Sequence, residues 1–161
     1  MDVLFDSNVI IDAISERDDS NVASTISFFE AIDGRIVKGF LASKQITDIF
    51  YVLRKYVKEK EVREDFIKLL LKAFNIIEIN QYDLLASFSV RGNDYEDDLL
   101  SYTAKKHKLD YIVTNNKKDF LNSKVEVISP NELVRMIKKE NDMNSIEEPK
   151  YYREESLQFA L

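Results

Sequence analysis

Residues 4–12 of the chain read Leu4-Phe5-Asp6-Ser7-Asn8-Val9-Ile10-Ile11-Asp12. The apolar start of this stretch favours a short strand from Val3 to Phe5, and Asp6-Ser7-Asn8 is typical of turns and helix caps. The rest of the chain repeats the arrangement, because short β-branched segments alternate with longer segments of helical period. Such alternation builds β-α-β units, so we expect an α/β protein with a mainly parallel sheet.

The alternation continues to residue 139. We expect further strands at residues 36–41, 75–79, 111–114 and 125–128, with the strand at 111–114 in the centre of the sheet. Helices are expected at residues 21–32, after Ser43, around residues 66–73, and at 82–90 and 94–107. The sequence Ser129-Pro130-Asn131-Glu132 predicts a capping box and a last helix that ends near Lys139.

Length and composition indicate one globular domain. The chain has 161 residues, of which 45% are hydrophobic, and it contains no cysteine, which excludes disulfides, thiolate nucleophiles and cysteine-bound zinc. A net charge of -6 argues against a general affinity for nucleic acid, although it leaves local binding open. No secretory signal or membrane span is visible, and we expect a cytoplasmic protein.

The composition changes beyond residue 139. From Glu140 onward six acidic residues face only Lys150 and Arg153, so residues 140–161 carry a charge of -4. We expect a domain at 1–139 and an acidic tail at 140–161. The tail is either solvated and partly disordered, or docked through Tyr151, Tyr152 and Phe159 on the domain or on a partner.

Four acidic residues stand where ligands bind in open α/β sheets, beyond the carboxyl ends of the strands. Asp6 follows the first strand, Asp48 lies early in the helix after the second, Asp97 in the first turn of the helix that opens at Asp94, and Asp119 after the strand at 111–114. Each has a simpler interpretation, as a helix cap, a solvated side chain or an acid placed against a helix dipole.

Several carboxylates around one point suit a hard cation. Mg²⁺ and Mn²⁺ take oxygen ligands, and two such ions about 3.5–4 Å apart can clamp a phosphodiester during hydrolysis. Asp6, with Asn8 beside it, would be the central ligand.

The residues also carry a family resemblance. The motif at residues 4–12, the sequence Asp94-Tyr95-Glu96-Asp97 and the segment from Tyr111 to Phe120 together resemble the PIN-domain nucleases. Within that family the chain is most similar to the VapC-type toxins of bacterial toxin–antitoxin pairs. The resemblance covers about residues 1–139.

This resemblance implies a three-layer α/β/α sandwich, an acidic pocket for Mg²⁺ or Mn²⁺, endoribonuclease activity and a cognate antitoxin. Asp6 and Asp97 match the strongest metal-ligand acids of the family, and Asp119 matches a later acid. Thr114 and Asn116 match polar residues of the pocket, where Asn116 replaces a frequent Asp. The chain departs from the pattern again at Asp48, because family members often have Glu there.

An RNA substrate requires basic residues near the pocket. Lys117 and Lys118 are the best candidates because they lie between Asn116 and Asp119 in the sequence. Two further basic groups are Arg54, Lys55, Lys58 and Lys60, and Lys105, Lys106 and Lys108, which ordinary solvated helix faces would also explain. The apolar run Phe66, Leu69, Leu70 and Leu71 is compatible with a homodimer, with an antitoxin contact, or with a broad core-facing helix.

Two other functions stay open. Asp48 and Asn116 are compatible with a catalytically weakened PIN-like module that binds protein. A phosphatase of the haloacid-dehalogenase kind also starts from an acid at a strand end, but its usual Asp-x-Asp is absent, because the chain has Asp6-Ser7-Asn8. A metal-dependent endoribonuclease, the toxin of a type II pair, is the leading hypothesis.

Overall fold

The computed structural model describes residues 1–15 and 36–147. Its strands are β1 Asp2–Phe5, β2 Lys38–Ala42, β3 Asn75–Ile77, β4 Tyr111–Val113 and β5 Glu126–Ile128. Its helices are α1 Ser7–Ser15, α2 Ser43–Leu53, α3 Lys60–Ala73, α4 Gln81–Ser87, α5 Tyr95–Lys106 and α6 Pro130–Glu147, with a 3-10 turn at Lys117–Phe120. The helix expected at residues 21–32 lies outside the described residues, as does the tail beyond residue 147.

All the described strands join one parallel sheet in the order β3-β2-β1-β4-β5. The prediction of a parallel α/β fold is confirmed. The expectation that residues 111–114 form the central strand is wrong, because β1 is central and pairs with β2 on one side and β4 on the other. Both strands are interior, and a short apolar run does not distinguish the middle position from its neighbour.

Alternate residues of β1 face two separate cores. Val3 and Phe5 contribute to a core that includes Ile49 of α2 and Leu70 of α3, and this core also takes in residues of α1 and α6. Leu4 faces the opposite side, where its core includes Leu100 of α5. The two-residue period of a strand therefore places helices on both faces, which makes the fold a three-layer α/β/α sandwich.

The helix boundaries follow local capping chemistry. At the start of α6 the Ser129 N–H donates to Glu132 Oε2 (2.6 Å), and the Glu132 N–H donates to Ser129 Oγ (3.3 Å), as the predicted capping box requires. Helix α6 continues eight residues past its predicted end at Lys139, to Glu147. Its polar sequence beyond Lys139 gave no apolar period from which that continuation could be predicted.

The apolar run in α3 divides between core and surface. Leu70 is fully buried, whereas Leu69 and Leu71 are about half exposed. A single helical face can bury only part of four nearly consecutive apolar residues, so two of them remain available for contacts with another chain.

No helix in the described part of the chain is long and apolar enough to cross a membrane.

Candidate functional site

The site begins where the sheet order reverses, at the carboxyl ends of β1 and β4. The chain leaves β1 toward β2 and later returns to the other side of β1 at β4, which opens a crevice beyond these two strands. Asp6 follows β1 directly and is only 8% exposed. Thr114 follows β4, and its hydroxyl donates to Asp6 Oδ2 (2.7 Å).

Three asparagines extend this contact. Asn8 Nδ2 donates to Thr114 Oγ1 (3.1 Å), and the Asn115 N–H donates to Asn8 Oδ1 (3.1 Å). The Asn116 N–H also donates to Thr114 Oγ1 (3.0 Å). The loop after β4 is thereby tied to the start of α1, and the Asp6 carboxylate is held in one orientation.

Asp97 lies in the first turn of α5, where the negative charges of neighbouring acids act on its carboxyl group. Burial, together with the negative charges of Asp6, Asp94, Asp119 and Glu96, raises the pKa of Asp97 to about 7. Burial also raises the pKa of Asp6, against the opposing effect of its hydrogen bonds from Thr114 and Asn8. The fold therefore concentrates carboxylates that repel one another, an arrangement that is typical of functional sites.

Asp119 borders the same acidic region from the 3-10 turn. Its carboxylate accepts a short hydrogen bond from the Asn116 side chain. A small cavity of about 190 Å³ is lined by Asp119, Lys118 and Gly92 among others. Lys117 instead turns toward α6, where its ammonium pairs with Glu132 (3.0 Å). Of the two lysines expected at the pocket, Lys118 is therefore the one beside Asp119.

Asp48 occupies a different electrostatic setting. Its Oδ2 lies 2.6 Å from the ammonium of Lys44, which also pairs with Glu96 Oε1 at 3.0 Å. Burial would lower the pKa of Lys44, but these hydrogen bonds to Asp48 and Glu96 raise it. Asp48 is thus neutralised locally, and it is not among the charges that raise the pKa of Asp6 or Asp97.

Sequence reasoning missed the roles of Lys44 and Glu96. The spacing of Lys44 and Asp48, four residues apart on one helix, was a usable signal for an ion pair. Glu96 stands next to Asp97 in an acidic run that also suits a helix N-terminus, so the sequence did not distinguish its contribution to the site.

Gln45 is a second residue that the sequence did not single out. Its side chain is 1% exposed, donates to the Phe5 carbonyl (2.8 Å) and to Ser7 Oγ (3.1 Å), and accepts from the Ala42 N–H (2.8 Å). These bonds connect the ends of β1 and β2 and thereby set the position of the turn that carries Asp6.

Asp98 points away from Asp97, as its helix position predicts, and supports a neighbouring loop. Both of its carboxylate oxygens accept from the Gly92 N–H (2.8 and 3.0 Å). A Cβ at Gly92 would collide with Asp98 Oδ1, so a larger residue here would displace the Asp98 carboxylate. The preceding Arg91 adopts a positive φ of 59°, which is uncommon for a residue with a side chain.

The chemistry of the site suits a hard divalent cation. The anionic groups that surround Asp97 are all carboxylates, and oxygen is the ligand that Mg²⁺ and Mn²⁺ prefer. In the structure of residues 1–15 and 36–147, no three acidic or histidine side chains lie close enough together to coordinate one metal ion.

A family model described as PIN domain matches residues 2–118. No curated protein matches the chain.

Several solved structures share the fold. VapBC2 from Rickettsia felis, bound to a DNA fragment from its promoter, is similar at a TM-score of 0.59 and 19% identity, over 80% of this chain and 98% of that one. FitAcB from Neisseria gonorrhoeae is similar at a TM-score of 0.61 and 15% identity, over 80% of this chain and 97% of that one. DNA-bound VapBC from Salmonella typhimurium is similar at a TM-score of 0.62 and 14% identity, over 81% of this chain and 98% of that one.

Proposed function

Because the chain belongs to the PIN domain family, we propose that it is a metal-dependent endoribonuclease of the cytoplasm that hydrolyses RNA phosphodiester bonds. We further propose that it is the toxin of a type II toxin–antitoxin pair, with residues 1–139 as its nuclease domain and residues 140–161 as an acidic tail.

The observation that carries this proposal is the mutual repulsion of carboxylates beyond β1 and β4. Burial, and after it the negative charges of Asp6, Asp94, Asp119 and Glu96, raises the pKa of Asp97 to about 7. Folding alone gives no reason to bring these carboxylates together, because their repulsion lowers the stability of the native state at neutral pH. A bound divalent cation would remove that cost.

Asp6, Asp97 and Asp119 would hold Mg²⁺ or Mn²⁺, with Asp48 as a further acid on the neighbouring helix. When bound, the ion supplies positive charge against the phosphodiester and makes water a stronger nucleophile. Similarity in fold to VapBC and FitAcB, whose identity to this chain is at most 19%, supports the architecture and leaves the choice of ion to experiment.

The surrounding polar residues orient the acids. The Thr114 hydroxyl fixes one oxygen of Asp6, Asn8 fixes Thr114 in turn, and the Asn116 amide donates to Asp119. The role of these residues is to keep the acids in place before substrate arrives, which lowers the reorganisation needed for catalysis.

Cleavage of labelled single-stranded RNA tests the proposal. We expect activity with Mg²⁺ or Mn²⁺ that EDTA abolishes, and a loss of at least about 100-fold in Asp6→Asn and Asp97→Asn, comparable to removal of one catalytic electrostatic group. Asp65→Asn, an exposed acid on α3, is the matched control. Cleavage that persists in EDTA and in both site variants would contradict the metal mechanism.

A partner contact is part of the proposal. Leu69 and Leu71 of α3 are about half exposed. Leu85 in α4 and Phe88 just after it are more than 60% exposed. These residues offer apolar area to an antitoxin or to a second copy of the chain. The VapBC and FitAcB structures, which share this fold, support testing for such an assembly.

The Lys44 contacts favour a second candidate, a catalytically weakened PIN-like module that binds protein. The Lys44 ammonium already pairs with Asp48 and Glu96, so these two carboxylates do not need a metal ion to balance their charge. Thermal unfolding with and without Mn²⁺ separates the two functions. A rise in Tm that Asp97→Asn removes supports the nuclease, since an ion that binds the native state stabilises it; an unchanged Tm supports the module.

A further inference from the structure

A second cavity, separate from the acidic crevice, is enclosed by the loop before α5, by α5 itself and by the segment after the 3-10 turn. Its volume is about 590 Å³, and its lining includes Arg91, Lys105, Lys106, Leu121, Asn122 and Lys124. This volume lies in the range of cavities that hold small ligands or segments of a polymer.

The charge of the cavity is opposite to that of the protein as a whole. Four basic side chains and no acidic side chain line it, although the chain has a net charge of -6. Lys106 is paired with Asp83 (2.6 Å). Arg91, Lys105 and Lys124 form no ion pair with any carboxylate in the described part of the chain. These three cations are available to an anionic ligand.

Arg91 is held in place by its backbone. Its φ of 59° is unfavourable for a residue with a side chain, and it persists because the structure fixes both sides of the residue. Asn122 Nδ2 donates to the Arg91 carbonyl (2.6 Å), and the Asp98 carboxylate binds the next N–H, that of Gly92. The loop that presents Arg91 at the cavity is therefore ordered before any ligand binds.

The basic cavity adjoins the smaller cavity beside Asp119. Leu121 and Asn122 line both the basic cavity and the smaller cavity beside Asp119 and Lys118. Leu121, which lines both cavities, is 80% exposed. A polymer with regularly spaced negative charges could lie in both cavities at once, with one phosphate near the acids and a neighbouring phosphate among Arg91, Lys105 and Lys124.

We propose that this basic cavity binds the backbone phosphates of single-stranded RNA next to the bond that is cut, with Arg91, Lys105 and Lys124 as the contacts. The proposal rests on the endoribonuclease function proposed above. It explains how an acidic protein retains an anionic substrate, because the positive charge is confined to one cavity. The basic groups at Lys117 and at residues 54–60 are not needed for this contact.

Binding of a fluorescein-labelled single-stranded RNA of about 12 nucleotides, a length within the range that single-strand binding sites cover, tests the cavity directly. Asp6→Asn without added metal serves as the background, so that binding is measured in the absence of cleavage. Two cavity variants are made in this background: the double variant Lys105→Ala/Lys124→Ala, and Arg91→Asn, because asparagine tolerates the positive φ at this position. Arg91→Lys, which keeps the positive charge, is compared with Arg91→Asn. Lys72→Ala/Lys139→Ala removes the same charge from exposed positions outside the cavity.

We expect the double cavity variant to bind about tenfold more weakly. The slope of log Kd against log salt should fall by about 0.7 for each phosphate of the single strand that the variant no longer neutralises. Arg91→Asn should weaken binding and Arg91→Lys should retain part of it. The control pair should change affinity by less than about twofold, because exposed charges far from the ligand are screened. Unchanged Tm values confirm that the variants fold.

The outcomes separate this inference from the proposed function. If the wild type cleaves RNA but the cavity variants bind it as the control does, the cavity inference is wrong and the nuclease stands. If the cavity variants lose binding but the wild type cleaves nothing with either metal, the nuclease is wrong and the RNA-binding cavity stands. If no variant, including the background, binds RNA and the wild type cleaves none with either metal, both are overturned.

Discussion

At the scale of single residues, the environment of each acid sets its chemistry. Asp6, Asp48 and Asp97 are the same amino acid at comparable positions, after a strand or early in a helix. Burial and like charges raise the pKa of Asp97 to about 7, whereas Lys44 neutralises Asp48. The sequence predicted all three as candidate ligands, but only their tertiary neighbours distinguish them.

The pKa of Asp97 predicts how stability depends on pH in the absence of metal. Its ordinary value is 3.8 and its value in the folded protein is about 7. A carboxyl whose pKa is raised by folding destabilises the native state once it ionises, so stability falls as pH rises from about 4 to about 7. We expect Asp97→Asn to remove part of this fall and to have the higher Tm at pH 8 in EDTA.

Thermal unfolding between pH 4 and pH 8 measures this effect, with Asp65→Asn as the control for loss of an exposed charge. The same fall in Tm in wild type and in Asp97→Asn would show that the repulsion at Asp97 does not limit stability.

Gln45 gives a prediction about folding rather than catalysis. Gln45→Ala removes the three buried hydrogen bonds that the Gln45 side chain makes with the Phe5 carbonyl, Ser7 Oγ and the Ala42 N–H. We expect a loss of about 3 kcal/mol in the free energy of unfolding, because each of the three lost hydrogen bonds contributes about 0.5–1.5 kcal/mol. Urea denaturation measures it. Thr47→Ala, on the exposed face of the same helix, should stay within about 0.5 kcal/mol of wild type, and an equal loss in both would contradict the role of Gln45.

At the scale of elements, helix starts were predictable and helix ends less so. The N-termini at Ser43, Asp94 and Ser129 carry local signals that the sequence displays, and the structure begins α2, α5 and α6 at or next to them. The end of α6 was predicted at Lys139 and lies at Glu147. No residue in this polar segment stops a helix, and an apolar period does not mark where a polar helix ends.

The α6 capping box gives a prediction at this scale. Hydrogen bonds from the Ser129 backbone and from Lys117 lower the pKa of Glu132 to about 2. Its stabilising effect is therefore complete above about pH 4.5, the ordinary value, and is lost as pH falls toward 2. We expect Glu132→Ala to cost about 1 kcal/mol at pH 7.

Urea denaturation at pH 7 and pH 3 measures the effect of this cap. Glu132→Gln, which keeps an acceptor for the Ser129 N–H, should lose less than Glu132→Ala. The deficit of both variants should be smaller at pH 3. A deficit that does not change with pH would assign the effect to packing instead of charge.

At the scale of the whole molecule, charge is unevenly distributed. Residues 140–161 account for -4 of the net -6, which leaves -2 for residues 1–139. Two bound divalent cations would bring the nuclease domain to a formal charge of about +2. The acidity of the chain is thus compatible with an anionic substrate, because much of it belongs to the tail and to the acidic crevice.

Removal of residues 140–161 tests this distribution. Leu133 and Ile137, the buried residues of α6 in the described structure, precede the cut, so we expect cooperative unfolding to persist. RNA affinity should rise, and the increase should shrink with added salt because the repulsion from the tail is screened. Circular dichroism and RNA binding at two salt concentrations measure both effects. Failure to fold, or an increase in affinity that salt does not reduce, would contradict this view of the tail.

The sequence by itself determined the class of fold, the starts of most elements and the positions of the acids, because strand period, capping residues and turn chemistry are local properties. Only the tertiary structure placed β1 at the centre of the sheet, paired Lys44 with Glu96, buried Gln45 between strand ends, and brought Arg91 together with Lys105 and Lys124. Each of these features joins residues distant in the chain. Their pairing depends on how the helices pack on the sheet, which no local pattern specifies.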